Sequence, residues 1–138
     1  MTEKEVYKEL AQRYIDSAKQ HIAQGINTKE VIAFMAYHAF ECLCSAVIVH
    51  FNYQSPKNHE KKLNVFLKLC KKYLGSSTNL RAVSLTVLRL SGVRNKFLYP
   101  EPQAGNIFKS PKDQFTLIEV RLLIQDVDKI INQITKII

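Results

Sequence analysis

The chain has no tryptophan, and only four glycines, four prolines, three cysteines and two methionines in 138 residues. So little glycine and proline argues against a collagen-like or low-complexity chain. Three cysteines are an odd number, and none lies in a Cys-x-x-Cys, so neither a disulfide framework nor a zinc ribbon is expected. On a helix Cys42 and Cys44 point about 200° apart. They read as small apolar residues of a reduced protein, which predicts a cytoplasmic location. His21, His38, His50 and His59 show no metal-ligand spacing, so no metal and no cofactor is expected. A basic lead-in to a secretory signal is also missing, since Thr2-Glu3-Lys4-Glu5 is acidic and polar.

Acidic residues are scarce too: 12 against 20 lysines and arginines, a net charge of +8. The excess is local. Lys57 to Lys96 holds ten basic residues and one acid, Glu60, for a net +9. The remainder carries ten basic and eleven acidic residues, a net −1. A segment of this kind predicts a polyanion partner, RNA or a nucleotide, with Lys57, Lys61, Lys62, Lys71, Lys72 and Lys96 as contacts. The plainer reading is a solvated lysine face that serves solubility.

The length fits one domain, residues 1–138, able to bury about two-thirds of its unfolded surface. Its longest apolar stretch, Val31 to Phe51, could span a bilayer, but it carries His38, Glu41 and His50. A carboxylate near the centre makes insertion costly, so a buried core helix, and no membrane, is expected.

Helical periodicity runs throughout, without strand alternation or repeats. Thr2 and Glu5 predict a capping box opening a helix to about Ala23, with Val6, Leu10, Ala11, Tyr14, Ala18 and Ile22 inward. Gly25 ends it. Asn27 and Glu30 predict a second box and a helix from Thr28 to about Phe51. Ser55 and Pro56 open a third, to about Leu74, with Leu63, Phe66, Leu67 and Cys70 inward. A fourth runs from Thr78 to about Leu98. Pro100 to Ser110 reads as the one long loop, and Ser110-Pro111 opens the last helix. The result is an all-α bundle of about five helices.

Polar residues among apolar ones mark the candidate chemistry. The fourth helix has an inward row Leu80, Val83, Val87, Leu90, Arg94, Phe97, and an arginine in such a row needs a partner or a task. A second row, Leu85, Leu88, Gly92, Asn95, Tyr99, puts Asn95 and Tyr99 on one face. Gly92 leaves room for a ligand or a partner helix. On the second helix His38, Glu41 and Ser45 share a face. Glu41 either pairs with a lysine, arginine or tyrosine to fix register, or lies beside Arg94 and orients it. His38 reads more readily as a hydrogen-bonded core histidine than as a general base.

Three segments, in this order, resemble the HEPN domain family, small helical proteins tied to nucleotides and RNA. They are Ala36-Tyr37-His38-Ala39-Phe40-Glu41, then Ser55-Pro56-Lys57-Asn58-His59 with Leu63, then Arg94-Asn95-Lys96-Phe97-Leu98-Tyr99-Pro100 followed by a long final helix. The resemblance implies an antiparallel HEPN-like bundle. In catalytic members two subunits bring these signature segments to one cleft and cleave RNA without metal. The arginine stabilises the phosphorane, the next polar residue positions it, and a histidine moves protons. Arg94 and Asn95 match. Tyr99 stands where the histidine would be, and no histidine follows His59. A tyrosine, ordinarily titrating at about 10, is a poor base at neutral pH.

The expectation is therefore a homodimeric RNA- or nucleotide-binding protein of toxin–antitoxin or defence type, with a degenerate ribonuclease site at Arg94, Asn95 and Tyr99. Glu41 and His38 would support that site, and a nucleotidyltransferase antitoxin is the implied partner. The alternative is a non-catalytic dimerisation or interaction module in which Arg94 and Glu41 make an internal salt bridge.

Overall fold

The structure is a computed structural model describing residues 1–138. It is an all-α bundle: α1 Glu3–Ala23, α2 Lys29–His50, α3 His59–Tyr73, α4 Leu80–Leu90, the single turn α5 Arg94–Leu98, and α6 Leu117–Thr135. Between α5 and α6 lies a small antiparallel ribbon, β1 Glu101–Pro102 with β2 Phe108–Lys109.

α2 is the axis. It packs against α1, α3, α5 and α6, and its Ile32, Ala36, Phe40, Leu43, Val47 and Ile48 are fully buried. It is long and apolar enough to cross a membrane, but 78% of its most apolar window is covered by the rest of the fold. Cross-helix contacts give the directions. Lys4 reaches His50 at 3.5 Å and the Ile138 carbonyl at 2.9 Å, so α1 is antiparallel to α2 and to α6. Asn79 meets Gln133, and Arg89 pairs with Asp126 at 2.6 Å, which sets α4 antiparallel to α6. Phe40 meets Phe66 while Phe51 stacks on Tyr73, so α2 and α3 run in the same sense. The connector between them leads back along α2 and sets the start of α3 beside Glu41.

Helix ends follow the sequence signals unevenly. The Thr2–Glu5 box forms, and Gly25 ends α1 at φ +71 in a Schellman closure, with Ile26 N–H donating to His21 O and Gly25 N–H to Ile22 O. The inward face of α1 is rotated from the expected one. Ala11, Ile15 and Ala18 are buried, while Val6 and Tyr14 are exposed. No Asn27–Glu30 box forms, and α2 starts after Thr28 without a side-chain cap. Ser55 does not open α3, because its hydroxyl is bonded to Ser45 at 2.8 Å. Asn58 caps instead, accepting from Lys61 N–H at 2.9 Å. Likewise Thr78 donates to Leu74 O, and Asn79 caps α4. Ser110-Pro111 starts only a 3-10 turn at Pro111–Asp113; the long helix begins after Thr116, which accepts from Glu119 N–H.

The largest departure is at Gly92. The expected helix from Thr78 to Leu98 is two helices, because Gly92 takes φ +75 and Ser91 turns extended. Arg94 therefore opens α5 rather than continuing the α4 row. Tyr99 lies beyond α5 in extended backbone, 57% exposed, so it does not stack on Asn95 within a helix.

Candidate functional site

Glu41 is 5% exposed in the middle of α2, and it is surrounded by a lysine and two histidines. His59 Nδ1 hydrogen-bonds its Oε2, Lys62 Nζ lies 3.5 Å from the same oxygen, and His38 Nδ1 lies 3.8 Å from Oε1. His59 and Lys62 come from the first turn of α3, the turn that Asn58 caps. Burial alone would raise the Glu41 carboxyl, but the hydrogen bonds from His38 and His59 and the charge of Lys62 outweigh it and hold the group at about 2. His38 also lies 3.7 Å from the Cys42 sulfur, and Cys42 together with Glu41 pushes its imidazole up to about 9.

This cluster corrects two expectations. Glu41 does not pair with Arg94, which forms no ion pair at all. The internal Arg94–Glu41 salt bridge of the interaction-module reading is therefore not formed. Lys62 is not a free contact for nucleic acid; it is half-buried and serves Glu41. The reading of Glu41 as a residue paired with lysine agrees with the geometry, whereas His38, bonded to Cys42, has a side chain 35% exposed and is not a core residue.

On the outer side of His59 is a small hollow of about 160 Å³, lined by Asn58, His59, Glu60, Gly92, Arg94 and Asn95, with no apolar residue among them. The break at Gly92 makes it. Gly92 N–H donates to Glu60 Oε1 at 2.7 Å, tying the end of α4 to the start of α3. The chain then turns and presents Arg94 and Asn95 from the first turn of α5. The Arg94 guanidinium lies over Phe34 at 6.0 Å, and its Nε is buried without a partner. Beneath, the Tyr37 hydroxyl is also buried and unpartnered, and burial with the nearby Glu41 charge raises its pKa strongly.

Of the residues expected from sequence, the structure brings Arg94 and Asn95 together with Glu41 and His38 one layer behind. Tyr99 and Lys96 do not line the hollow. His59, which sequence reasoning left out of the site, does. The available signal was a buried Glu41 that required a partner, and an Asn-His pair opening the next helix; nothing in the sequence says that the connector folds back to join them.

With Nδ1 of His59 committed to Glu41, Nε2 is the atom left to exchange a proton. A carboxylate-backed imidazole, a guanidinium with an unused donor and a side-chain amide around one hollow can bind an oxyanion and move a proton beside it. The Glu60 carboxylate is the one acid in the lining, and its Oε1 is occupied by the Gly92 amide.

The basic segment divides in the same way. Lys57, Lys61, Lys68, Lys71, Lys72, Arg81 and Lys96 are exposed and in no ion pair, whereas Lys62 serves Glu41 and Arg89 serves Asp126. No protein-family model matches this chain, and no curated protein matches it either.

Proposed function

We propose that this chain is a HEPN-like RNA-binding domain that acts as a homodimer, with a metal-independent phosphodiester site in the Arg94 hollow. Arg94 and Asn95 hold the phosphate. The proton transfer that the resemblance assigns to a histidine at position 99 falls to His59 instead, oriented by Glu41. The observation that carries this reading is that His59 shares the hollow with Arg94 and Asn95 while Tyr99 stands outside it. The free lysines beginning at Lys57, next to His59, supply sequence-independent attraction for the RNA backbone. A toxin–antitoxin or defence role, with a nucleotidyltransferase antitoxin, rests on the resemblance alone. A cytoplasmic location suits the three free, buried thiols.

The test is cleavage of RNA in excess chelator. Wild type and Tyr99→Phe should cleave alike, and His59→Gln and Arg94→Ala should lose cleavage. Loss in Tyr99→Phe with full activity in His59→Gln would return the chemistry to Tyr99 and overturn the assignment.

A second reading is a non-catalytic interaction module. It is favoured by the completeness of the Glu41 cluster, in which both carboxylate oxygens have cationic neighbours, as expected of a device that fixes helix register. On that reading no RNA is bound or cleaved, and sedimentation finds the dimer unaffected by Arg94→Ala.

A further inference from the structure

A second and larger cavity lies on the other side of α5. It encloses about 420 Å³ between α4, α5, the ribbon and the start of α6. Its floor is apolar and aromatic, including Val93, Phe97, Phe115 and Leu123, and the Phe97 and Phe115 rings lie 4.8 Å apart at 34°. Lys96 and Lys109 are in its lining, neither of them in an ion pair, together with Glu101, Glu119 and Arg89, the last paired with Asp126. Gln114 also lines it. Both polar atoms of the Gln114 side chain, Oε1 and Nε2, are buried and make no hydrogen bond.

A buried primary amide with neither end satisfied is unfavourable. It is suited to a planar ligand with a donor and an acceptor side by side, which is the edge that nucleobases offer to glutamine and asparagine. The partly exposed Phe115 ring, backed by Phe97, suits one face of the same ligand. Lysines at the cavity suit a phosphate attached to it.

α5 is the wall shared by the two sites. Arg94 and Asn95 line the hollow, and Lys96 and Phe97, the next two residues, line the cavity. The two sites are thus about one helix apart, on the order of 10 Å. We infer that the cavity is a nucleobase pocket in which the Gln114 amide reads the base edge while the base lies against Phe115, so that it sets base preference for RNA held in the Arg94 hollow. The link to RNA rests on the function proposed above. The pocket itself does not, since a free nucleotide offers the same base and phosphate.

The experiment compares four RNA homo-oligomers by fluorescence anisotropy, and the four nucleoside monophosphates by titration of methyl and aromatic NMR resonances. Wild type should prefer one base by roughly tenfold, the scale of one bidentate base contact. Gln114→Leu should level that preference. Gln114→Glu, which keeps the shape but loses the donor, should change its order. Arg94→Ala should weaken all oligomers alike and keep the ranking. Thermal melts establish that each variant is folded. Monophosphate binding that perturbs Phe97 and Phe115, without oligomer binding, would sustain the pocket, with a free nucleotide as its ligand, and sink the RNA reading. Oligomer binding with equal affinity for all bases, or a ranking unchanged in both folded Gln114 variants, would overturn the pocket and leave the RNA reading intact. Absence of binding to either probe would overturn both.

Discussion

Glu41 and His59, 18 positions apart in the chain, are joined by a hydrogen bond between α2 and the first residue of α3. One end of that bond is a buried carboxylate and the other lines the hollow beside Arg94. The pair is at once part of the core and part of the site, so its substitution should affect stability and chemistry separately.

Replacing Glu41 by alanine leaves Lys62 and two histidines around a vacated carboxylate site. Hydrogen bonds to charged groups contribute about 1.5–3 kcal/mol each, so a loss of roughly 2–3 kcal/mol is expected. Arg94→Ala removes no ion pair and should cost less than about 1 kcal/mol. Urea unfolding of the two variants checks the order; equal losses would show Arg94 to be structural.

The pH dependence follows from two groups of opposite sign. Glu41 is lowered from 4.5 to about 2, so its contribution is complete above 4.5 and is lost as the pH falls towards 2. His38 is raised from 6.5 to about 9, so its contribution is complete below 6.5 and is lost as the pH rises through 9. Melting temperature should be highest between these windows and decline on both sides. In Glu41→Gln the acid-side decline should shrink, and the alkaline one should shrink with it, because Glu41 is one of the groups raising His38.

Gly92 adopts φ +75, and a Cβ there would meet nothing within 4 Å. The penalty for Gly92→Ala is thus one of backbone conformation, about 1–2 kcal/mol. If the chain relieves it by continuing α4, Arg94 swings away from His59. The expected outcome is a modest drop in melting temperature with a larger drop in RNA affinity.

The lysines divide into two kinds. Changing Lys57, Lys61, Lys71 and Lys72 to glutamine should reduce both RNA affinity and its salt dependence. The log–log slope should fall by about 0.7 for each single-strand phosphate that is no longer neutralised. Stability should hardly change. Lys62→Gln should do the reverse, lowering stability with little effect on the salt slope. A salt slope unmoved by the fourfold change would make that face a solubility feature.

How much of this was written in the sequence differs by level. The helices were legible because apolar residues recur at helical spacing and because Thr2 and Gly25 are strong local punctuation. Starts at Asn58 and Asn79 were obscured by competing hydroxyls: Ser55 looks like a cap and Thr78 like a first helical residue, but Ser45 and the Leu74 carbonyl take their hydroxyls. Arg94 and Asn95 were legible as odd polar residues beside an apolar row. The hollow was not, because it depends on a left-handed Gly92 and on a connector that brings His59 back to Glu41. Both are long-range outcomes with no periodic trace. The ribbon was hidden in a segment whose prolines and glycine read as loop, and Gln114 gave no sign of standing unpaired in a cavity.

The central position of α2 also has a consequence for how the chain must be made. Its sequence is as apolar as a membrane span, so it is the segment most prone to aggregate when uncovered. α1 precedes it by a short turn and can close on it as a local hairpin while synthesis continues, the kind of pairing that forms fast. The opposite face waits for α6, the last helix, from Leu117 to Thr135. Until that helix arrives one face of α2 stays uncovered, and exposed apolar surface of this kind favours aggregation. Damage near the far end of the sequence should therefore show itself as insolubility in the cell before it shows itself as lost chemistry.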